Sequence, residues 1–439
     1  MSVSRAVRVC ALALAAAALT GGAVPVVAQL APTERKIRDF VHQHHADEIA
    51  MLANIVNINS GTMNLAGVRR VGARFAAALD SLGFQTRWSA MPDSMNRAGH
   101  LIAVHKGQPG GTRILLIGHL DTVFEGEGQE FVRVDTIARG AGSCDMKGGD
   151  VIALYALKAL RDIGALRNAN IIVVFNGDEE SPGLPLAVSR RDLRDAARAS
   201  DVALAFEGGA RSFASVSRRG SSSWLLTVSG RQAHSGAVFG PGTGYGAIYE
   251  AARILDGFRR ELVGPKDLTF NPGAILGGTT VTYDSANLSG TVAGKTNIIA
   301  PTTVVPGDLR FITEGQEDST RQRMREIVGE HLPGTSAEIT FQDDYPAMPM
   351  TPGGEQLIAL YDATSRALGY GPVQAQDPST RGAGDVSFVA PYIAGMDGLG
   401  AIGRGAHTPH EQVDLNSLTM QTERAAVMMY RLLGRRVGR

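Results

Sequence analysis

Two patterns of hydrophobic residues alternate along the first half of this chain: short continuous runs and residues at helical spacing. Three short apolar runs are typical of strands buried on both faces, and they lie at 113–117, 171–175 and 202–206. Apolar residues recur at helical spacing between and before them, over 34–52, 68–82 and 151–163. Strands that alternate with helices predict an α/β fold with a mostly parallel sheet flanked by helices.

The pattern changes near Gly220 and returns after Gln342. The intervening segment predicts two helices on a sheet of about four strands, with helices at 246–262 and 316–332 and strands at 222–228, 279–283, 288–292 and 304–311. Helices at 355–368 and 418–433 then resume the first pattern. We therefore expect a discontinuous first domain (29–220 and 342–439) with an inserted α+β domain at 221–341.

The N-terminus has the pattern of a secretory signal peptide. Arg5 and Arg8 precede an alanine-rich apolar run over 9–19, and Val26-Val27-Ala28 offers a cleavage site. We expect residues 1–28 to be removed and the protein to be secreted or periplasmic, without a stable membrane anchor. A retained anchor is the alternative.

Charge narrows the classes of possible binding partner, and the cysteine count limits the possible disulfides. Cleavage after Ala28 leaves 439 − 28 = 411 residues with 41 Lys and Arg against 43 Asp and Glu, a formal charge of −2. No basic excess favours nucleic acid or a membrane surface as a partner. Only Cys144 remains, so this mature chain has no intrachain disulfide.

Imidazole and carboxylate groups follow the predicted strands, where ligands gather in open α/β sheets. They are His119, Asp121, Asp145, Glu179, Glu180, Glu207 and His407. Zinc accepts these ligands, and cobalt or manganese are alternatives. Five ligands can hold two ions about 3.5–4 Å apart when one carboxylate bridges the two ions. Asp145, an aspartate at the start of a predicted helix, suits the bridging role.

The remaining groups suggest supporting roles. Asp121 is placed to accept a hydrogen bond from the second ring nitrogen of His119. Of the adjacent Glu179 and Glu180, one can bind metal while the other exchanges a proton with water. His410 competes with His407 as a ligand.

Six short motifs follow one another along the chain. They are G-H-L-D-T-V (118–123), G-S-C-D-M-K-G-G (142–149), N-G-D-E-E (176–180), F-E (206–207), A-H-S-G (233–236) and G-A-H-T-P-H-E (405–411). In order and spacing the chain resembles the dizinc carboxypeptidases and deacylases typified by bacterial glutamate carboxypeptidase. Aminoacylases, acetylornithine deacetylase and succinyl-diaminopimelate desuccinylase are relatives.

The resemblance implies a role for each position. His119, Asp145 and Glu207 would hold one zinc, and Asp145, Glu180 and His407 the second. Glu179 would be the general base and then the acid, and Asp121 would orient His119. The resemblance implies a zinc-peptidase-like catalytic domain and an inserted dimerisation lid. His234 in this lid would donate to the oxyanion of the partner subunit of a homodimer.

Asn297 and Arg310 match contacts to a substrate carboxylate, and arginine offers a two-pronged donor for such a group. Two departures concern specificity. The stretch 341–346 lacks the arginine of glutamate carboxypeptidase, and 382–385 reads Gly-Ala-Gly-Asp instead of Gly-Gly-Thr-Asp. Arg381 is a candidate replacement for the missing charge.

These observations predict a zinc-dependent hydrolase that cleaves an amide bond next to a free carboxylate, as a carboxypeptidase does. A deacylase of N-acyl amino acids or a dipeptidase of the same family is the alternative. An aminopeptidase would need an acidic anchor for the substrate amine, where we find Arg310. A catalytically inactive exported binding protein is the alternative of another class.

Overall fold

The computed structural model describes residues 29–126, 130–285 and 287–434. The predicted signal peptide, residues 1–28, lies outside the described residues, so cleavage and export stay predictions. Among the helices that are described, none is both long and apolar enough to cross a membrane.

Helices and strands alternate along most of the described chain. The α-helices are α1 (Pro32–Gln43), α2 (His45–Val56), α3 (Leu65–Ser81), α4 (Lys147–Asp162), α5 (Leu186–Ser189), α6 (Arg191–Arg198), α7 (Gly246–Leu262), α8 (Glu314–Gly329), α9 (Pro352–Ala367) and α10 (Leu415–Leu433). The strands are β1 (Gln85–Ser89), β2 (His100–His105), β3 (Arg113–His119), β4 (Val132–Val134), β5 (Ile137–Arg139), β6 (Asn170–Asn176), β7 (Val202–Ala205), β8 (Phe213–Ala214), β9 (Gly220–Gly230), β10 (Thr269–Pro272), β11 (Leu276–Gly278), β12 (Thr280–Asp284), β13 (Ser289–Ala293), β14 (Thr302–Phe311), β15 (Thr335–Asp343), β16 (Gln374–Ala375), β17 (Ala394–Met396), β18 (Gly403–Arg404) and β19 (Gln412–Asp414).

The first sheet has six strands in the order β1-β2-β6-β3-β7-β17. Strands β6, β3, β7 and β17 run parallel, while β2 pairs antiparallel with β6 and with β1. Ile114 and Leu116 of β3 belong to one buried apolar cluster, and Leu115 and Ile117 belong to another. Because both faces are covered, the strand reads as a continuous apolar run. The α/β prediction is confirmed.

The second sheet is antiparallel and lies between Gly220 and Asp343. Its order is β10-β14-β9-β15, with β11 also paired to β14. Helices α7 and α8 pack on this sheet, and Trp224 of β9 meets Phe258 of α7 with ring centroids 5.9 Å apart. The second sheet is distinct from the first, as expected. The exact boundary of the inserted domain, 221–341, remains a prediction.

Several elements differ from the sequence-based expectation. The predicted helix over 34–52 is two helices that break at His44, whose Nδ1 lies 2.8 Å from the carbonyl oxygen of Phe40. Strands β12 and β13 pair with each other and form a hairpin of their own instead of joining the second sheet. Strands β1, β2 and β15 were not predicted. Strand β1 is partly exposed throughout, so it lacks a continuous apolar run.

Glu48 of α2 carries a carboxyl group inside the helical layer, and this generates a stability prediction. Thr422 of α10 donates a hydrogen bond to Oε1, while Oε2 is buried without a hydrogen-bond partner among the described residues. Burial raises the pKa of Glu48 to about 8. The unfolded chain releases this proton near pH ~4.3, so the group's contribution to stability is lost as pH rises from there to its folded pKa.

We expect Glu48→Gln to flatten this pH dependence. Between pH 5.5 and 8.5 the melting temperature of the unsubstituted protein should fall by a few degrees more than that of the variant. Differential scanning calorimetry measures this, with Glu338→Gln, at an exposed position of β15, as the control. Equal falls in all three proteins would contradict the assignment.

Candidate metal centre

The parallel strands bring the predicted metal ligands to one edge of the first sheet. His119 is the last residue of β3, Glu180 follows β6, and Glu207 follows β7. Asp145 lies in the loop before α4, and His407 follows β18 with a left-handed backbone (φ 62°). Residues from five distant parts of the chain thus meet where the strands end.

The five side chains form two triads that share Asp145. In the first, Nε2 of His119 lies 3.4 Å from Oδ1 of Asp145 and 3.5 Å from Oε1 of Glu207. In the second, Nε2 of His407 lies 3.1 Å from both Oδ2 of Asp145 and Oε2 of Glu180. Asp145 therefore presents one oxygen to each triad, as a bridging carboxylate would.

The donor geometry fits divalent cations. Two ligand atoms about 2.0–2.1 Å from one tetrahedral zinc lie about 3.3–3.4 Å apart. The His119 separations of 3.4 and 3.5 Å are close to this value and exceed ordinary N–H···O distances of about 2.7–3.2 Å, whereas the His407 separations of 3.1 Å lie within the ordinary range. Nε2 of His119 and Oε1 of Glu180 are both buried, and neither has a hydrogen-bond partner among the described residues. These residues fit a two-metal site.

The site concentrates negative charge in a buried position. Burial opposes the charged form of His119, but the carboxylates of Glu207, Asp121 and Asp145 outweigh it and hold its pKa well above the usual value. Burial also raises the pKa of Glu207 to about 8. Cations bound here would act in the opposite sense on the carboxylates, because they favour the ionised form.

Asp121 connects the two halves of the site. Nδ1 of His119 lies 3.1 Å from the main-chain oxygen of Asp121 and 3.4 Å from its Oδ1, so the nearer acceptor is the backbone. The carboxylate accepts hydrogen bonds from the backbone N–H groups of Glu179 (3.0 Å) and Glu180 (3.1 Å), and from Thr62. It thereby fixes the turn that carries both glutamates.

Glu179 lies beside the triads without belonging to either. Burial and the charge of Glu207 raise its pKa well above the usual value. The Tyr345 hydroxyl donates to the Glu179 carbonyl oxygen at 2.9 Å and lies 3.4 Å from Oε1. A carboxyl group held beside the two triads in this way can exchange a proton with a nearby water.

Glu411 supports the bridging aspartate, a role that was not predicted from the sequence. Its carboxylate accepts hydrogen bonds from the backbone N–H groups of Gly142 (3.1 Å), Cys144 (2.7 Å) and Asp145 (3.0 Å). These bonds hold the Asp145 loop against the segment that follows His407. The only signal in the sequence is that Glu411 ends the G-A-H-T-P-H-E motif.

Two arginines, the buried Arg218 and the half-buried Arg381, stabilise the segments behind Glu207. Arg218 forms an ion pair with Asp397, whose Oδ1 accepts a hydrogen bond from the Glu207 backbone N–H at 3.3 Å. Arg381 donates to the carbonyl oxygen of Gly208 at 3.0 Å. Arg381 thus lies next to the site, but its described hydrogen bond is to the backbone.

The other predicted residues divide between two places. Arg310 lines a pocket of about 410 Å³ together with Glu179 and Glu180. His234 and Asn297 are exposed, and their loops meet where the Ser235 backbone N–H donates to the Asn297 carbonyl at 2.9 Å. Neither residue lines that pocket. His410 belongs to neither triad.

Comparisons with known proteins place this arrangement among metallopeptidases. A model of the peptidase family M20/M25/M40 matches residues 115–431. Carboxypeptidase G2 from Pseudomonas sp. (strain RS-16) is 26% identical over 399 residues, covering 86% of this chain and 87% of that protein. Succinyl-diaminopimelate desuccinylase from Leptothrix cholodnii is 24% identical over 393 residues, covering 85% and 96%. The structure of aminopeptidase PepT from Bacillus cereus superposes with a TM-score of 0.72 at 18% identity, covering 89% and 99%.

The contacts of Glu411 generate a prediction about metal affinity. We expect Glu411→Ala to weaken zinc binding about 10- to 100-fold, because the loop that presents Asp145 loses three hydrogen bonds. Competition titration against a chromophoric chelator measures the change. Glu355→Ala, at an exposed position of α9, is the control and should bind as the unsubstituted protein does. Unchanged affinity in a folded Glu411→Ala protein would contradict the assigned role.

Proposed function

Because this chain belongs to the peptidase family M20/M25/M40, we propose that it is a metallocarboxypeptidase that hydrolyses an amide bond next to a free carboxylate. One observation carries the proposal. Glu179, Glu180 and Arg310 line the same pocket, so a proton-transfer group, a metal ligand and a carboxylate-binding group face one substrate.

Two divalent cations are part of the proposal. His119, Asp145 and Glu207 would hold one, and Asp145, Glu180 and His407 the other. Zinc is the metal we propose, with cobalt or manganese as substitutes. When bound, such a pair polarises the scissile carbonyl and lowers the pKa of water.

Glu179 exchanges the proton in the proposed reaction. Its carboxylate takes a proton from the water that attacks the carbonyl carbon and later delivers it to the departing amide nitrogen. Asp121 and Tyr345 hold the turn that carries Glu179 through the backbone contacts described above. These contacts keep the backbone of Glu179 in place between the two proton transfers.

Arg310 would bind the substrate carboxylate. Its hydrogen bond to Asp308 at 2.9 Å is donated by Nε, which leaves the two terminal nitrogens for a carboxylate. The side chain is 35% exposed. A guanidinium fork favours two parallel bonds to a carboxylate, so a free C-terminus is selected over a C-terminal amide.

A deacylase of N-acyl amino acids is the second candidate, because a desuccinylase is among the similar proteins. Both reactions use the same catalytic groups, and they differ in the acyl part of the substrate. A panel of dipeptides and N-acetyl or N-succinyl amino acids, each also as its C-terminal amide, separates them. An inactive binding protein would hydrolyse none of these.

We expect Glu179→Gln to lower kcat at least about 100-fold, because the amide cannot take the proton from water. The metal content, measured by inductively coupled plasma mass spectrometry, should stay near two ions per chain, since Glu179 is in neither triad. The control is Glu355→Gln. Full activity of the Glu179→Gln protein would refute the assignment of Glu179 as the proton-transfer group. Loss of metal from that protein would indicate that Glu179 is a metal ligand.

His234 requires a second subunit in this scheme. It is exposed and does not line the Glu179 pocket of its own chain. The same domain exposes apolar side chains: Phe239 contacts Tyr249 with ring centroids 5.3 Å apart, and Ile248 is 47% exposed. We propose that this surface forms a homodimer that brings His234 to the site of the partner.

Mixing two inactive variants tests the dimer. His234→Ala and Glu179→Gln should each be nearly inactive alone. After joint refolding of equal amounts, the mixture should recover about one quarter of full activity, because about half of the dimers are hybrids and one of the two sites in each hybrid receives both intact groups. Native mass spectrometry establishes that hybrids form. Hybrids without recovered activity, or an active His234→Ala protein, would contradict the proposal.

A further inference from the structure

A second and larger cavity adjoins the pocket of Glu179. It measures about 800 Å³, within the range of roughly 300–1,000 Å³ typical of ligand pockets. It lies between helix α8 and strand β15 on one side and the segment around α5 on the other. The two cavities share wall residues, which are Leu184, Leu186, Ser221, Gln342, Asp344 and Tyr345. We call the larger cavity the α8 cleft.

The α8 cleft is acidic. Five acids and two arginines line it, a formal charge of 2 − 5 = −3. Arg321 is already engaged, because its Nη2 lies 2.6 Å from both Oε1 of Glu317 and Oδ1 of Asp343. Arg194 lies over the ring of Phe388, 5.4 Å from its centroid. The remaining acids therefore outnumber the cations available to balance them.

Three carboxylates carry this excess. Glu314 and Asp318 are one turn apart on α8 and both exposed, and Asp344 lies half-buried where the cleft meets the smaller pocket. Among the described residues, Glu314 and Asp318 form no ion pair, whereas Asp344 interacts with the positive charge of Arg310 in the smaller pocket. An unpaired carboxylate at the wall of a cleft attracts a cation, and low-dielectric walls strengthen that attraction.

The direction of the substrate follows from the smaller pocket. Glu180 and Arg310 line it but do not line the α8 cleft. In the proposed reaction the terminal carboxylate of the substrate binds Arg310 and the scissile carbonyl lies beside Glu179. The acyl side of that substrate would then extend into the adjoining α8 cleft. The leaving amino acid occupies the Arg310 end.

We propose that the α8 cleft binds the acyl side of the substrate and selects one that carries a positive charge. A peptide whose residue before the cleaved bond is lysine or arginine fits this chemistry, and a free N-terminal ammonium adds to it. An acyl group that carries a carboxylate, such as succinyl, is disfavoured by like charge. This inference rests on the proposed function and deepens it.

Matched dipeptides test the proposal with the metal-loaded, full-length protein. The first residue of the dipeptide is lysine, norleucine or glutamate. The second, C-terminal residue is the same in all three peptides and is the one that the protein releases fastest. Norleucine keeps the straight chain of lysine without its charge. We expect kcat/KM for the lysine peptide to exceed that for the norleucine peptide about tenfold, with the glutamate peptide slowest. Raising sodium chloride from 0.05 to 0.5 M should reduce the ratio, because salt screens exposed charges.

Two double variants locate the effect. Glu314→Gln/Asp318→Asn should bring the lysine-to-norleucine ratio to within about threefold of unity, because the rate on the lysine peptide falls more than the rate on the norleucine peptide. Glu326→Gln/Glu330→Gln removes two charges near the other end of α8 and should keep the ratio of the unsubstituted protein.

The outcomes separate this proposal from the one on which it rests. Hydrolysis with no preference for lysine, or a preference that survives in the Glu314 and Asp318 variant, overturns the acidic subsite and leaves the carboxypeptidase proposal standing. No hydrolysis of any peptide by the metal-loaded protein overturns the proposed function, and this inference falls with it.

Discussion

Buried negative charge around Asp145 is the constraint on which the rest of this structure depends. Asp145, Glu180 and Glu207 meet two imidazole rings in a small volume, and Glu179 lies beside them. Such carboxylates repel one another strongly in a low-dielectric surrounding unless cations or protons offset them. Two divalent cations bound here would relieve this repulsion and would use the buried nitrogen of His119 and the buried oxygen of Glu180, which have no hydrogen-bond partner among the described residues. The site is therefore organised around positive charge that the side chains alone do not provide.

The surrounding structure serves to hold these ligands in place. Asp121 ties the glutamate turn to the end of β3, and Glu411 ties the Asp145 loop to the C-terminal part of the chain. Each support uses backbone N–H groups as donors, so it fixes the loop rather than one rotamer. Residues outside the ligand set of a metal site commonly set its affinity in this way. The parallel strands provide the rigid edge, and the loops complete the cage.

Much of this arrangement could be predicted from the sequence because of where the residues lie. His119, Glu180 and Glu207 follow apolar runs, and parallel strands place such positions at a common edge. Glu411 was missed because its role depends on a loop meeting a segment more than 260 residues away. Tyr345 was missed because its hydrogen-bond partner, Glu179, is 166 residues away in the chain. The edge strand β1 and the break at His44 lack the apolar periods or the glycine and proline residues that sequence reasoning uses. Strand β2, inside the sheet, carries a largely buried apolar run at 101–104 that was not interpreted as a strand.

We propose that two cations share Asp145. Anomalous diffraction at the zinc edge, from crystals of the zinc-loaded protein, tests it directly. We expect two peaks about 3.5–4 Å apart, one beside His119 and Glu207 and the other beside Glu180 and His407. A single peak, or peaks bound by other residues, would contradict it.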